Sequence, residues 1–194
     1  RYPIDRQGLA QLLEKVKAGD TSIEEALEFL SQLPFQDMGF AKVDHHRTLR
    51  KGFPEVILGE GKIPEQVAEL AQAIADSASL LITRIDAEAY EAVKVRVPAA
   101  SYNATARVAY LRRGPAASRP GVMVACAGTS DVPVAEEAAI TAEVVGSQVE
   151  RAYDVGVSGL HRLLSQLPSL RKARVVVVVA GMDAALPSVV GGLV

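Results

Sequence analysis

The stretch that most constrains the fold is residues 121–146, GVMVACAGTSDVPVAEEAAITAEVVG. It begins with an apolar run over residues 122–127 that has no polar side chain on either face, which is typical of a strand buried on both sides of a parallel sheet. The Gly-Thr-Ser-Asp sequence of residues 128–131 interrupts this run. Pro133 and two nearby glutamates then favour the first turn of a helix. The stretch therefore predicts a strand, a tight loop and a helix.

The loop at residues 128–131 has two interpretations. Free backbone N–H groups at the start of a helix bind anions, typically a phosphate or a carboxylate. Alternatively, the loop only caps the helix, because turns between strands and helices commonly contain Gly, Ser and Asp for structural reasons. The residues alone leave both interpretations open.

Composition excludes several classes of protein. The chain has 194 residues, of which 49% are hydrophobic and 23% charged, so it can bury a substantial core in one or two domains. Its net charge of -2 gives no reason to expect a nucleic acid or an acidic membrane surface as a partner. The longest apolar run, residues 175–180, is too short to span a membrane. The single cysteine, Cys126, excludes an intrachain disulfide and is typical of a reducing compartment, so we expect a cytoplasmic location.

The pattern of strand, loop and helix recurs twice more. A strand at residues 148–153 precedes a loop at 154–159 and a helix whose apolar face carries four leucines before it stops at Pro168. The five valines within residues 174–180 predict a central buried strand, followed by a loop at 181–188 and a short helix. This alternation predicts a parallel sheet with helices on both faces.

Ligands bind at the carboxyl ends of the strands in such sheets, where these three loops converge. The residues therefore predict a site for a small anion or a nucleotide. They contain neither the G-x-G-x-x-G fingerprint of dinucleotide-binding folds nor a Walker A loop.

The N-terminal half predicts a mixed α+β domain. Two amphipathic helices form a hairpin: one ends at Gly19, and the other begins with a Ser22–Glu25 capping box and ends near Pro34. Further elements are two strand-like pieces around a basic connector (residues 40–62), a helix at 64–75, a strand at 80–85, a short helix from Asp86 to Ala92 and a strand at 105–111. We predict domains at 1–111 and 121–194, joined by a Gly/Pro/Ser-rich linker at 112–120.

The basic connector contains Asp44, His45 and His46, which suggest a metal site. Adjacent side chains diverge, however, and no further Cys/His cluster supports that hypothesis. Instead, the nearby cations form either an anion-facing edge or a solvated basic surface; they are Arg47, Arg50, Lys51 and Lys62.

The motifs resemble a known family. The C-terminal region resembles the phosphoribosylaminoimidazole carboxylase superfamily in its loop at 128–131 and its Leu-Pro-containing loop at 184–187. A closer resemblance, to the LarB family, extends over nearly the whole chain. It lies in GFAK at 39–42, DHHR at 44–47, RKGFPEVI at 50–57, AGTSD at 127–131, PVAEEA at 133–138, YDVGV at 153–157, GLHR at 159–162, AGM at 180–182 and ALPSVVGG at 185–192.

The resemblance implies a fold and an activity. The fold class is α/β, with a three-layer parallel-sheet, flavodoxin-like C-terminal domain preceded by a smaller mixed α+β N-terminal domain. The activity is that of a carboxylase/hydrolase in nickel-pincer cofactor synthesis. It would add a carboxyl group from CO₂ or bicarbonate to the pyridinium ring of nicotinic acid adenine dinucleotide. It would also cleave the phosphoanhydride, releasing AMP and pyridinium-3,5-biscarboxylic acid mononucleotide.

The resemblance also implies a covalent mechanism. In the family, a cysteine in an Asn-Ser-Cys segment adds to the pyridinium, and an acidic residue removes the ring proton. That segment corresponds to positions beyond Val194, so we expect further residues there. We interpret Cys126, inside the predicted strand, as a core residue. Asp183 stands where the family has glutamate, one methylene longer, and is the candidate for acid/base catalysis.

The remaining site residues follow from the same resemblance. Thr129, Ser130 and backbone N–H groups would hold phosphate or ribose, whereas Asp131 would either cap the helix or accept a hydrogen bond from a ribose hydroxyl. His161 either contacts the ligand or packs at the start of its helix. The other predicted substrate contacts are Gly128, Asp154, Gly156, Gly181, Met182 and Arg47.

The resemblance further implies a homo-oligomer, an octamer, with no tightly bound cofactor, no nucleic acid and no membrane partner. It leaves a requirement for Mg²⁺ open. Two other functions stay open: a nucleotide-binding module without catalysis, and an aminoimidazole ribonucleotide carboxylase or mutase. The long LarB-like N-terminal segment argues against the second of these.

Overall fold

The computed structural model describes residues 6–31, 35–45, 47–114 and 119–194, with the backbone alone at Arg6, Ser31, Leu49 and Arg50. Its helices are α1 (Arg6–Ala18), α2 (Ile23–Ser31), α3 (Arg47–Lys51), α4 (Pro64–Ala75), α5 (Ala87–Arg96), α6 (Val132–Val144), α7 (Leu160–Ser165), α8 (Leu167–Lys172) and α9 (Ala185–Gly191). Its strands are β1 (Gln36–Asp37), β2 (Lys42–Val43), β3 (Ile57–Leu58), β4 (Leu80–Thr83), β5 (Ser101–Asn103), β6 (Val108–Leu111), β7 (Arg119–Cys126), β8 (Ser147–Ala152) and β9 (Val175–Val179). The predicted α/β fold class is confirmed.

The chain divides into two compact units. The N-terminal unit comprises Arg1–Ser101 and Ala109–Arg113, and the C-terminal unit comprises Tyr102–Val108 and Gly114–Val194. Strand β7 begins at Arg119, inside the stretch predicted as a linker, and residues 115–118 of that stretch lie outside the described residues. Pro34 and His46 also lie outside them.

The N-terminal unit contains the predicted helices. At the start of α2, the Glu25 N–H donates to Ser22 Oγ at 3.1 Å and the Ser22 N–H donates to Glu25 Oε2 at 2.9 Å, which confirms the capping box. Helix α4 has the predicted bounds and buries its apolar face. Asp86 caps α5 by accepting from the Ala89 N–H at 2.9 Å, but this helix continues to Arg96 because no breaker precedes Pro98.

A mixed four-stranded sheet has the order β3-β4-β6-β5. Strand β3 is parallel to β4, and β4 is antiparallel to β6. The basic connector of the sequence partly forms the short helix α3. The side chains of Leu80, Leu81 and Ile82 in β4 are buried, so this strand lies in the core of the fold.

The C-terminal unit has three layers. Its sheet has the order β8-β7-β9, and both pairs are parallel. On one face, Val124 and Cys126 pack against Ala135 and Ala139 of α6. On the other face, side chains of the same sheet pack against residues of α7, α8 and α9; this cluster includes Met123, Ala125, Leu163, Leu170 and Leu186. The predicted parallel sheet covered on both faces is therefore confirmed.

The predicted position of the five-valine strand is wrong. Strand β7, and not β9, is the central strand of the described sheet, and Val175 at the start of β9 is 54% exposed. An apolar run reports that helices cover both faces of a strand, because side chains point to the faces. An apolar run does not indicate whether the strand has another strand on each side, because neighbouring strands bond to its backbone and not to its side chains.

The predicted leucine helix is also corrected. It consists of two short helices, α7 and α8, and Pro168 lies in the first turn of α8, where a missing N–H costs nothing. Leu163 is fully buried, but Leu160 and Leu164 are 46% and 49% exposed. The four leucines therefore do not form one buried face.

Candidate functional site

The order of the strands defines the edge where a ligand would bind. From the central β7 the chain passes through α6 to β8 on one side, and then through α7 and α8 to β9 on the other. The helix that follows β7 (α6) packs on one face of the sheet, and the helix that follows β9 (α9) packs on the other face. The chain therefore leaves these two neighbouring strands in opposite directions. In open α/β sheets, the crevice at such a topological switch point is where ligands bind.

Asp131 connects the two loops at this point. The carboxylate accepts the Gly128 N–H at Oδ2 (2.9 Å) and the Gly181 N–H at Oδ1 (3.0 Å). It makes no side-chain capping bond to α6, although it directly precedes that helix. Its neighbours Thr129 and Ser130 form a short 3₁₀ turn and are exposed. The structure thus gives Asp131 a capping bond at the 3₁₀ turn that leads into α6 and, in addition, a contact with the loop after β9.

The loop after β8 packs against the end of β7. A Cβ atom on Gly156 would lie 2.7 Å from the carbonyl oxygen of Ala127, so only glycine fits there without displacement of the backbone. The Val155 N–H donates to the Cys126 carbonyl at 3.0 Å. Asp154 adopts a left-handed conformation, with φ of 58°, and its carboxylate forms an ion pair with the Arg162 guanidinium.

The loop after β9 carries the candidate acid/base residue. Met182 and Ala184 have left-handed φ values of 36° and 50°, and the Ala184 N–H donates to the Gly181 carbonyl at 2.8 Å. This tight turn leaves Asp183 exposed between them, with Oδ1 accepting from the Ala185 N–H at 3.3 Å. The Met182 side chain is fully exposed. The turn therefore presents a carboxylate and a thioether at the same edge of the sheet.

The charges at this edge are mainly negative. The three loops contribute Asp131, Asp154 and Asp183, whereas Arg162 is the only Lys or Arg in residues 127–133, 153–163 and 180–190. Arg162 is not among the site residues predicted from the sequence. The sequence contains a signal for this residue: Arg162 is the only Lys or Arg in the predicted loops and in the first turns of the helices that follow them.

The side chains of the remaining predicted site residues make no hydrogen bond or ion pair with the three loops, among those that the structure describes. His161, the second residue of α7, is exposed. Arg47 belongs to the N-terminal unit, where its guanidinium lies 5.4 Å from the centre of the Phe53 ring and its buried Nε has no hydrogen-bond partner among the described residues. The side chain of Arg50 lies outside the described residues.

Cys126 is buried, as predicted for a core residue. Burial raises the pKa of its thiol, and Sγ lies 3.5 Å from the Gly128 carbonyl oxygen, to which it donates. Within the part of the chain that the structure describes, no group of His, Cys, Asp and Glu side chains could hold a metal ion. None of the helices described is long and apolar enough to cross a membrane.

Comparisons with known proteins found a similar family and a similar protein. Residues 35–113 match the LarB/PurE-like N-terminal domain family. An uncharacterized protein of Methanocaldococcus jannaschii is 32% identical over 199 residues, an alignment that covers 97% of this chain and 78% of that protein.

Proposed function

The chain belongs to the LarB/PurE-like family, and we propose that this carboxylase-superfamily protein acts on nicotinic acid adenine dinucleotide as a carboxylase and hydrolase. The observation that carries the proposal is the arrangement at the switch point. There Asp131 joins the loops after β7 and β9, and the second of these loops exposes the carboxylate of Asp183.

The carboxylation needs a nucleophilic ring carbon. A cysteine thiolate adds to the electrophilic pyridinium and turns the ring into an enamine, whose electron pair forms a bond to the carbon of CO₂. Asp183 then takes the proton from the same ring carbon, and the thiolate leaves as the ring becomes aromatic again. The buried Cys126 thiol is unsuited to this addition, because burial raises its pKa and therefore disfavours the thiolate. We assign the addition to the Asn-Ser-Cys cysteine of the family.

The second step is hydrolysis of the phosphoanhydride: water attacks one phosphorus atom and AMP leaves. Thr129 and Ser130, exposed before the 13-residue helix α6, would bind a phosphate together with backbone N–H groups. The other proposed substrate contacts are Gly128, Asp154, Gly156, His161, Gly181 and Met182. We also propose a homo-octamer.

The test is a reaction of the native protein with nicotinic acid adenine dinucleotide and ¹³C-bicarbonate, with and without Mg²⁺, analysed by mass spectrometry. We expect AMP and a mononucleotide that carries one additional labelled carboxyl group. AMP without the labelled product would remove the carboxylase assignment. Labelled dinucleotide without AMP would remove the hydrolase assignment.

A second candidate is a nucleotide-binding module without catalysis. The observation that favours it is the residue at position 183, which is Asp in this chain where the family has Glu. In that case the dinucleotide would bind, as measured by calorimetry, and would be recovered unchanged.

A further inference from the structure

The hydrogen bond between Asp131 and Gly181 joins residues that are 50 positions apart in the chain. Both carboxylate oxygens of Asp131 are engaged, one by the loop after β7 and one by the loop after β9. A carboxylate can accept two backbone N–H groups in this way, whereas an amide side chain offers one acceptor oxygen and one NH₂ donor. The contact therefore depends on the side chain being Asp.

The segment that this contact anchors is strained. Met182 and Ala184 both have positive φ values, which are unfavourable for residues with a Cβ atom. Such a turn persists only where neighbouring contacts hold it. The Gly181 carbonyl closes the turn by accepting from the Ala184 N–H, and the Gly181 N–H fixes the turn to Asp131. Asp183 is the exposed residue between the two strained positions.

From these contacts we infer that Asp131 is a positioning residue for Asp183. Its carboxylate holds the backbone at Gly181, and the turn that begins there sets where the Asp183 carboxylate is presented. The inference rests on the proposed function, in which Asp183 takes the ring proton. It differs from the alternative in which Asp131 binds a ribose hydroxyl, because a positioning residue affects turnover more than substrate affinity.

Hydrogen–deuterium exchange tests the contact without any substrate. In Asp131→Asn, we expect the remaining acceptor oxygen to keep the nearby Gly128 N–H, so that exchange at the Gly181 amide accelerates at least about tenfold. In Asp131→Ala, both amides should exchange faster. The matched control is Glu91→Gln, which removes one negative charge from an exposed position of α5. If the Gly181 amide exchanged at the wild-type rate in both Asp131 variants, the inference would be wrong.

Steady-state kinetics test the consequence for the reaction. A displacement of about 1 Å of a reacting group can cost about a hundredfold in rate, so Asp131→Asn should lower the kcat of carboxylation by about ten- to a hundredfold. The KM for the dinucleotide should change less than about threefold. A large rise in KM with kcat retained would instead identify Asp131 as a substrate contact and overturn the positioning role.

The two proposals fail in different ways. If the wild-type protein forms no carboxylated product, the proposed function fails, while the exchange rates at Gly181 still decide whether Asp131 holds this turn. If the wild-type protein is active and Asp131→Asn has wild-type kcat, the proposed function stands and the positioning role is wrong.

Discussion

Three aspartates, Asp131, Asp154 and Asp183, lie in the loops of the candidate site. Asp183 is the one that the proposed proton transfer requires. Its exposed position on a tight turn allows a bound ring to approach it. The family's glutamate is one methylene longer, so the proposed transfer would use a shorter side chain in this protein. The consequence can be measured, because carboxylation and hydrolysis release different products.

Asp183→Asn should lower the rate of carboxylation by about 10²- to 10⁴-fold, the usual effect of removing a general base. AMP release should change far less, because attack of water on phosphorus does not need the ring proton. Asp183→Glu should retain carboxylation. Equal losses of labelled product and AMP in Asp183→Asn would contradict this separation of roles, and mass spectrometry of both products decides.

Gly156 provides a test of the packing beneath the site. In Gly156→Ala, the new Cβ atom would lie 2.7 Å from the Ala127 carbonyl oxygen, so the backbone must move. We expect a loss of about 1–3 kcal/mol in the free energy of unfolding, measured by urea denaturation.

The matched control is Gly191→Ala in α9, because a Cβ atom there meets no neighbour within 4 Å and the residue is helical. This substitution should be neutral or stabilise the protein by up to about 1 kcal/mol. Similar effects of the two substitutions on the urea midpoint would show that the approach of Gly156 to Ala127 is not tight.

At the scale of elements, short sequence signals correctly predicted where helices begin, because local interactions determine helix starts. The capping box at Ser22 and the proline at the start of α4 are recognisable from short sequence segments, and both helices begin where these signals indicate. The leucines of α7 were misjudged because periodicity shows that a face is apolar but not that another element covers it. Leu163 and Leu164 are adjacent in sequence and differ completely in exposure.

This difference predicts opposite outcomes for two neighbouring substitutions. Leu163→Ala removes a fully buried side chain from the core on the α7 side of the sheet and should cost about 2–5 kcal/mol in the free energy of unfolding. Leu164→Ala changes a side chain that is 49% exposed and should cost less than about 1 kcal/mol. Urea denaturation followed by circular dichroism measures both. A larger loss from Leu164→Ala would show that another surface covers α7 in solution.

At the scale of the whole molecule, the sequence predicted three loops at one sheet edge but not how they are joined. The repeated pattern of strand and helix was sufficient for the parallel sheet, because right-handed connections place the carboxyl ends of the strands together. The bond between Asp131 and Gly181 depends on the strand order, which places β9 beside β7. No local pattern encodes a contact over 50 residues.

The strand order also places β8 next to α6, and polar side chains of α6, of β8 and of Tyr153 directly after β8 form a hydrogen-bonded network. We expect this network to make the free energy of unfolding depend on pH. The Tyr153 hydroxyl donates to Glu136 Oε1 at 2.8 Å, and Arg151 also bonds to Glu136 and to Glu143. Burial raises the pKa of Tyr153 well above its usual value, and the hydrogen bond to Glu136 raises it further. The hydrogen bond to Glu143 raises the pKa of Arg151, which therefore stays charged over the range in which tyrosine titrates.

Because the folded state holds the Tyr153 proton more tightly than the unfolded state does, this stabilisation is fully present below about pH 10, the usual pKa of tyrosine. It is lost progressively as the pH rises above that value, since the unfolded chain then releases the proton while the folded chain keeps it. Tyr153→Phe should therefore lower the free energy of unfolding at pH 7 by about 0.5–1.5 kcal/mol, the contribution of one hydrogen bond. Between about pH 9 and pH 11, the urea midpoint of the variant should fall less steeply than that of the wild-type protein. Parallel midpoint curves for the two proteins across this range would show that the proton of Tyr153 does not couple to folding.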